Sequence, residues 1–390
     1  MLISSTAARV AGFFAASFVP SSVALAYFPV FLAGRGLSGA EIGILTALPM
    51  ILRVTTASLL GLFADRLGDR RRALVLYAFL SLAGVAALWP ATGFGTLLLA
   101  TLATWAFWNG ITPVSDAVAV SVARRGEGVY GRMRVWGSIS FVVTNLWVGG
   151  IVAASGSEVV LRLLTIGMLM QFAAAFLVPS DRTAGEPARA PATPTREILC
   201  DLVADRRLAA LAIGSALLQA THAMLYTFAS LYWGTLGFSG SQVGVLWSTG
   251  VIGEILLFAF SGLALRAVGA RGLMALGAAG AVARWLLFPL IGASMPLWVA
   301  FQGLHALTFA AVHLATIQLI TATVDDRRAA TVQGMLASLN GLAMATAMVA
   351  SGPLYAAWGG RAFWAMAVVA AAGTAMVTIG LARPVPRPGR

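Results

Sequence analysis

The chain is 390 residues long, 59% hydrophobic and only 10% charged, with a mean hydropathy of +0.88, which excludes an ordinary soluble domain and indicates a polytopic membrane protein. All 26 basic residues are arginine, so a Walker A loop and a Schiff-base lysine are excluded, and we expect an ion gradient rather than ATP as the energy source. Membrane orientation accounts for the net charge of +12, so nucleic-acid binding is not expected.

Twelve apolar segments are long enough, at about 20 residues each, to cross a bilayer. They lie at 10–33, 41–63, 73–91, 95–122, 133–155, 159–178, 208–234, 242–264, 272–292, 297–323, 330–357 and 361–382. We therefore predict an all-α membrane protein with an N-terminal six-helix bundle at 1–178, a linker at 179–207 and a C-terminal six-helix bundle at 208–390 that ends in a short tail.

The arginines indicate how these helices are oriented. Twenty of the 26 fall on one side of the predicted membrane, against Arg35, Arg162 and Arg361 on the other. Because basic residues concentrate in cytoplasmic loops, both termini and the linker are predicted to be cytoplasmic, in a protein of the cell (inner) membrane. The first segment has only Arg9 as a charge and no clear cleavage site, which favours a retained helix over a signal peptide.

The loop after the second segment reads "GLFADRLGDRRR" (61–72). It resembles the signature between helices 2 and 3 of the major facilitator superfamily, which implies two pseudo-symmetric six-helix bundles and transport by alternating access. The resemblance assigns a gating motif whose glycines allow close helix contact and whose charged side chains bridge the cytoplasmic ends of neighbouring helices. The motif residues are Gly61, Asp65, Arg66, Gly68, Arg70 and Arg71.

Asp116 and Arg134 stand on the fourth and fifth predicted helices, which are joined by a tight turn centred near Arg125. Each is nine residues from that centre, so the two side chains should lie at similar depth on adjacent antiparallel helices. A charge inside a membrane is costly without a partner or a wet cavity. We therefore expect this pair either to bind substrate or to lock the hairpin as a structural ion pair.

The segment from Pro179 to Arg207 is rich in Pro, Ala, Thr and charge, which is typical of an exposed tether with one short surface helix near 195–206. It contains Cys200, the only cysteine. A disulfide framework and a cysteine-based metal site are therefore excluded, and neither a metal nor a cofactor is expected.

An internal repeat relates the two halves. A shift of 201 residues superposes 37–70 on 238–271 without a gap, and pairs Arg53 with Glu254. Each of these two residues lies 12 residues past the outer start of its helix, so both should be about 18 Å deep, near the middle of the bilayer. Such repeats are typical of secondary transporters whose substrate sites lie at mid-membrane.

The second half contains further polar residues in apolar surroundings. Arg284 lies 12 residues past Gly272, also near mid-depth, and could form a static pair with Glu254. Three histidines, at His222, His305 and His313, show no metal-ligand spacing. For His222 and His313, a hydrogen-bonded helix contact and a ligand role both remain open.

Four stretches resemble the phenylpropionate permease branch of the superfamily and its relatives, the lactose permeases and nucleoside-proton symporters. They are "PVSDAVAV" (113–120), "YGRMRVWGSISF" (130–141), "LLQATHAMLYTFASLYWGTLGFS" (217–239) and "LHALTFAAVHLAT" (304–316). In the first half, the resemblance implies that Asp116 and Arg134 bind substrate and that Phe141 stacks on it.

In the second half, the same resemblance implies that Glu254, Arg284 and His305 couple transport to protons. It also places a proton-carrying Glu three residues after His305, where this chain has Thr308. The identity of the proton carrier is therefore open at this point.

Aromatic residues and one further arginine complete the predicted substrate site. Arg53 is expected to hold a carboxylate through two hydrogen bonds, as a planar guanidinium can. A cavity wall is predicted from side chains beside charged or polar helix faces, namely Tyr27, Trp136, Tyr226 and Trp247. His222 is a further candidate to bind substrate.

The function predicted from these features is proton-coupled uptake of a small organic solute, such as a phenylpropanoate-like aromatic carboxylate. A sugar or nucleoside proton symporter is the first alternative and a drug efflux antiporter the second. An enzyme is not expected, because neither a nucleophile–base nor a metal constellation is visible. The expected partners are the solute, protons and the lipid bilayer, and the expected state is a monomer.

Overall fold

The computed structural model describes residues 4–180, 204–322 and 326–382, and within these ranges it is helical without strands. The first half contains α1 (Ser5–Gly34), α2 (Gly39–Arg66), α3 (Arg70–Leu88), α4 (Phe94–Trp108), α5 (Ile111–Arg124), α6 (Tyr130–Ser155) and α7 (Val159–Ala175). The second contains α8 (Arg206–Ala220), α9 (Ala223–Thr235), α10 (Gly240–Ala259), α11 (Ser261–Leu287), α12 (Met295–His305), a π-helical segment (Ala306–Ala311), α13 (Val312–Thr321), α14 (Asp326–Trp358) and α15 (Phe363–Leu381). Cys200 and most of the predicted linker lie outside the described residues.

The described residues include ten helical stretches that are long and apolar enough to cross a membrane. In addition, Val159–Ala175 is apolar but only 17 residues long, and the stretch Val332–Leu381, at 50 residues, contains most of each of the last two predicted segments. Large apolar side chains are exposed on the helices, for example Trp147 at 72% and Val368 at 71%, as contact with lipid requires. The predicted fold class, an all-α membrane protein, is confirmed.

Two compact units divide the described residues. One comprises Met1–Glu186 with Ser230–Ser248, and the other comprises Pro187–Ala229 with Thr249–Arg390. In the first unit, α1 packs against α6 and α7, while α3 packs against α4 and α7. In the second, α8 packs against α14 and α15, while α11 packs against α13 and α15. The bundle boundaries at 178 and 208 stay predictions.

The internal repeat is visible in local structure. Ser38 and Glu41 form a capping box at the start of α2, in which each side chain accepts from the other residue's backbone N–H. At the start of α10, 201 residues later, Ser239 N–H donates to Gln242 Oε1 (2.8 Å) and Gln242 N–H donates to Ser239 Oγ (3.3 Å). Helices α2 and α10, which the repeat relates, therefore begin with the same reciprocal cap.

The loops that flank these helices repeat as well. Gly36 and Gly237 have φ of 80° and 86°, and Gly68 and Gly269 have φ of 69° and 68°. This left-handed region is open to glycine and costly for other residues. In the gating motif, Gly68 is therefore needed for its backbone conformation. The close helix contact expected at Gly61 is not seen, because no described atom outside its own stretch of helix lies within 4 Å of where a Cβ would be.

Three of the predicted spans are interrupted. The span 95–122 breaks between Trp108 and Ile111, and the span 208–234 breaks at Thr221–His222. The span 297–323 changes to a π-helix at Ala306–Ala311. Broken helices and π segments leave backbone N–H and C=O groups without their usual hydrogen-bond partners in the helix. Both features are frequent at functional sites in membrane proteins.

Candidate functional site

Arg284 on α11 is fully buried and forms the centre of a polar network in the second unit. Its Nη1 donates to Thr308 Oγ1 (2.8 Å) and to His305 Nδ1 (3.1 Å), and its Nη2 donates to Gln302 Oε1 (2.7 Å). The guanidinium lies 4.9 Å from the ring centroid of Trp285, and Nε is buried without a hydrogen-bond partner in the described part of the chain. None of these direct partners is an acid, so the charge is balanced from further away.

His305 connects Arg284 to the only acid of the network, Glu254. A guanidinium can only donate hydrogen bonds, so His305 Nδ1 must accept and its proton must be on Nε2. This Nε2–H lies 2.8 Å from Glu254 Oε1 and donates to it. The side chain of His305 is 6% exposed and that of Glu254 is 23% exposed, so the carboxyl group is at the accessible edge of the network.

His222 lies beside His305, with ring centroids 5.0 Å apart, and its Nε2 is 3.5 Å from Arg284 Nη1. Its Nδ1 lies 3.2 Å from the Gln219 carbonyl oxygen, which can only accept, so Nδ1 carries the proton. Its Nε2 then accepts from Thr308 Oγ1 at 3.1 Å. The Thr308 hydroxyl thus accepts from Arg284 and donates to His222, and every hydrogen bond in this chain of contacts has a defined direction.

Two of the interrupted spans meet at this network. His222 lies at the break between α8 and α9, and Thr308 lies in the π-helical segment. Gln219 Nε2 joins them by donating to the carbonyl oxygen of Phe309 at 3.2 Å. The site therefore forms where irregular backbone places polar groups inside the protein.

Aromatic rings surround the two histidines. The ring of His305 stacks on Phe309, with centroids 5.2 Å apart and planes 9° apart. Tyr226, predicted to line a cavity, lies 6.2 Å from the His222 ring and 6.3 Å from the His305 ring. His313 is exposed beside Phe258 and stands apart from these hydrogen bonds.

In the first unit, the structure brings Asp116 and Arg134 together, with Nε of Arg134 3.6 Å from Oδ1 of Asp116. Tyr130 donates a hydrogen bond to the same carboxylate oxygen at 3.1 Å. The guanidinium carbon lies 4.3 Å above the ring of Phe18 and 5.3 Å from that of Phe14, within the range of cation–π attraction.

Phe141 is buried and contacts this pair indirectly, through an edge-to-face contact with Phe18 at 6.5 Å. Sequence reasoning identified the charged pair and missed Tyr130, Phe14 and Phe18. Phe14 and Phe18 belong to α1, and their position beside α6 follows only from helix packing.

The other residues predicted to bind substrate are dispersed. Arg53 is exposed on α2 and has no hydrogen bond or ion pair within the ranges that the structure describes. Trp136 is 45% exposed. Tyr27 and Trp247 are buried in the first unit, where Tyr27 donates to the Asn145 carbonyl (3.3 Å) and Trp247 Nε1 donates to Ser230 Oγ (2.9 Å). Their role at a cavity stays a prediction.

The gating motif forms a compact junction between α2 and α3. Arg70 Nη2 lies 3.3 Å from Asp65 Oδ1, which connects the ends of these helices as expected. Asp69, which sequence reasoning missed, caps α3 by accepting from the Arg71 N–H (3.0 Å). Its other oxygen accepts from Ser180 Oγ (2.9 Å) at the end of the first half.

The described residues contain no group of three or more His, Cys, Asp or Glu side chains that could hold a metal ion. The chemistry that the arrangement could support is reversible proton binding at Glu254, because one partly exposed carboxylate faces a donor whose tautomer is fixed by a buried cation.

Comparisons with known proteins agree with this architecture. The family model described as "MFS_1 like family" matches residues 9–366. The chain is 31% identical over 377 residues to the "Probable 3-phenylpropionic acid transporter" of Escherichia coli (strain K12), covering 95% of this chain and 96% of that one. It is 29% identical over 277 residues to the "Maltose permease" of Geobacillus stearothermophilus, covering 68% of this chain and 66% of the permease. The crystal structure of the nucleoside transporter NupG superposes with a TM-score of 0.83 at 17% identity, covering 97% of this chain and 98% of that one.

Proposed function

The chain belongs to the MFS_1 like family of major facilitator transporters, and we propose that it is a proton-coupled uptake symporter for a small aromatic carboxylate of the phenylpropanoate type. The observation that carries the proposal is the buried network in which Glu254 is the only acid and contacts Arg284 through His305. A proton that binds Glu254 changes the charge of a site that is otherwise closed to counter-ions. Such a change can be coupled to the movement of a charged solute.

The solute class is supported by the 31% identical relative, whose printed name refers to 3-phenylpropionic acid. It is also supported by the surroundings of Arg134, a cation above the rings of Phe18 and Phe14. Aromatic rings of this kind suit the apolar remainder of an aromatic acid.

We further propose alternating access in an inner-membrane protein with cytoplasmic termini. The Asp65–Arg70 contact and the cap by Asp69 would then hold one end of α2 and α3 in the present state. The charged groups inside the membrane would stay within the protein throughout the cycle, because an unpaired charge in contact with lipid is costly. These groups are Asp116, Arg134 and Glu254.

A sugar or nucleoside symporter is the second candidate. Asp116 already accepts a hydrogen bond from the hydroxyl of Tyr130, and a sugar hydroxyl could take the place of that phenol. The maltose permease similarity is consistent with this alternative.

Uptake into membrane vesicles tests the proposal. Labelled 3-phenylpropanoate should accumulate when the outside is made acidic, and a protonophore should abolish the accumulation. Glu254→Gln should lose accumulation and retain exchange of labelled for unlabelled solute, because the neutral amide mimics the protonated acid.

Glu41→Gln is the matched control, because Gln242 fills the same capping position in the repeat and the substitution should be tolerated. Full accumulation by Glu254→Gln would contradict the assignment of Glu254. Uptake of maltose or a nucleoside, without uptake of any aromatic acid, would replace the carboxylate proposal with the alternative.

A further inference from the structure

Three arginines are candidates to meet the carboxylate of an anionic solute, and their surroundings differ. Arg134 has its own acid at 3.6 Å, and Arg53 is exposed. Arg284 is buried, has only neutral hydrogen-bond partners and leaves Nε unpaired in the described part of the chain. The second unit therefore contains a buried cation that is balanced through a single intermediate, His305.

The Nε2–H of His305 is positioned to donate a hydrogen bond to a carboxylate. Arg284 fixes its tautomer, so that Nε2–H points away from the cation and toward Glu254 at 2.8 Å. The ring is held in place by stacking on Phe309. The acceptor position opposite Nε2 is thus occupied by a carboxylate from the protein itself, and that carboxylate is partly exposed.

From this geometry, and resting on the proposed function, we infer that Glu254 is an internal substitute for the carboxylate of the solute. In the resting state the ionised Glu254 accepts from His305 Nε2. When Glu254 takes up a proton, its oxygen becomes a weaker acceptor and the network holds one uncompensated positive charge. The carboxylate of the solute then accepts from His305 Nε2–H and restores the balance.

Charge conservation determines the stoichiometry. Glu254 gains one proton as one monoanion binds, so the loaded and the empty sites have the same net charge. Transport should therefore be electroneutral, with one proton per monocarboxylate. A neutral analogue of the same shape cannot replace the carboxylate and should bind without linkage to Glu254.

Other titratable groups lie near Glu254 and enter the same balance. Arg284 and His313 interact with it electrostatically, as does Tyr226 from α9. His222 lies next to His305, with ring centroids 5.0 Å apart, and its Nε2 contacts Thr308 Oγ1 and Arg284 Nη1. Of these groups, Glu254 alone is an acid within the network, so a single carboxyl group should account for the linked proton.

Calorimetry on the purified full-length protein tests this inference independently of transport. Binding of 3-phenylpropanoate is measured in two buffers of different ionisation enthalpy, which gives the number of protons taken up. At a pH where Glu254 is ionised, the wild type should take up about one proton per anion, and its Kd should rise about tenfold per pH unit. Glu254→Gln should bind the anion with no proton uptake and no such pH dependence, while Glu41→Gln should behave as the wild type.

The neutral analogue 3-phenylpropanamide allows the inference to be tested on the wild-type protein, without a substitution. With wild-type protein, amide binding should show no linked proton. Anion binding without proton uptake, or the same uptake for amide and anion, overturns the inference and leaves proton-coupled transport of the acid standing. Binding of a sugar or nucleoside with no binding of any carboxylate overturns the proposed solute class and this inference together.

Electrical measurements give a second readout. In vesicles, a potassium diffusion potential without a pH gradient should leave the rate of 3-phenylpropanoate uptake unchanged, while a pH gradient of equal size should drive accumulation. Accumulation driven by the potential alone shows that net charge moves with the solute, and it overturns the one-to-one stoichiometry.

Discussion

Thr308 illustrates how one hydroxyl group can define a membrane site. It accepts from Arg284 Nη1 at 2.8 Å and donates to His222 Nε2 at 3.1 Å. A carboxylate at this position could only accept, and it would neutralise Arg284 by direct contact. With threonine there, Arg284 has no anion among its direct contacts, and Glu254 is the acid of the network. This arrangement supports the proposal that Glu254 carries the proton.

The role of the Thr308 hydroxyl can be separated from that of its volume. Thr308→Val keeps the shape but removes the acceptor that lies 2.8 Å from Arg284 Nη1 and the donor that lies 3.1 Å from His222 Nε2, which leaves Nε2 only the longer contact with Arg284 Nη1 at 3.5 Å. Weakening buried hydrogen bonds in this way costs about 1–3 kcal/mol. We expect a lower thermal midpoint for the purified protein and slower proton-driven uptake. Thr308→Ser keeps the hydroxyl and should remain close to wild type in both measurements. A valine variant as stable and active as the wild type would show that the hydroxyl is dispensable.

At this scale, charge and depth in the sequence predicted the Asp116–Arg134 pair, which the structure contains. They also suggested a static pair of Glu254 with Arg284, but Glu254 contacts His305, which lies between it and Arg284. Gln302 and Gln219 were missed because an isolated glutamine in an apolar helix carries no sign of its partner. Both bond across to other segments, Arg284 in one case and the Phe309 carbonyl in the other. Such contacts depend on helix packing, which residue type and spacing do not specify.

At the scale of elements, helices α5 and α6 form a hairpin with one charged residue of the pair on each helix. Asp116 and Arg134 are both about one-third exposed, so their attraction contributes only about 0.2–1 kcal/mol to stability. The position of the guanidinium over Phe18 is more specific, since it depends on which helix carries the arginine. Stability and transport should therefore respond differently when the two charges trade places.

The exchange variant combines Asp116→Arg with Arg134→Asp. Each single substitution puts like charges side by side and should lower the thermal midpoint, and the double variant should regain most of that loss. Uptake should not recover in the double variant, because the arginine no longer lies over Phe18 and Phe14. Parallel unfolding and vesicle assays check both parts. Wild-type uptake by the exchanged protein would identify the pair as purely structural.

The interrupted spans mark the limit of prediction for elements. Hydrophobic length located the spans, and the helices confirm an all-α membrane protein. The break at Thr221–His222 has neither Gly nor Pro, and the same is true of the π-helical segment Ala306–Ala311. Both keep the apolar character of a continuous span. The breaks follow from side-chain bonds such as Gln219 to the Phe309 carbonyl, which periodicity in the sequence cannot show.

For the whole molecule, the repeat was the most informative feature of the sequence. An offset of 201 residues predicted related halves, and the matching caps and left-handed glycines agree with it. The same offset pairs Arg53 with Glu254, yet one is exposed and the other belongs to a buried network. Repeat symmetry therefore predicts backbone, while the chemistry of each half has diverged.

The proposed alternating access would require helix contacts that close in one state and open in another, and the contact of α6 with α10 is suited to this. A Cβ at Gly149 would overlap the Gly240 carbonyl oxygen, and one at Gly240 would overlap the Gly149 carbonyl. The two backbones therefore touch directly, without intervening side chains. Tyr27 adds a hydrogen bond to the Asn145 carbonyl beside them. Residues that form such a contact should control how often the protein opens here.

Gly149→Val should prevent this contact and favour the open state. Overpacking of this kind costs about 1–3 kcal/mol, and a shift of about 1.4 kcal/mol raises the open population about tenfold. The readout is the rate at which a membrane-impermeant maleimide alkylates a single cysteine, introduced by Ser230→Cys in a Cys200→Ser background. Ser230 is suitable because it is only 8% exposed in the present state and donates to the Ala26 carbonyl. Gly131→Val is the control, because Gly131 lies on the same helix and no described atom outside its own stretch of helix lies within 4 Å of where a Cβ would be. Alkylation should be faster in Gly149→Val and unchanged in Gly131→Val, and equal rates in both variants would show that the α6–α10 contact does not gate the protein.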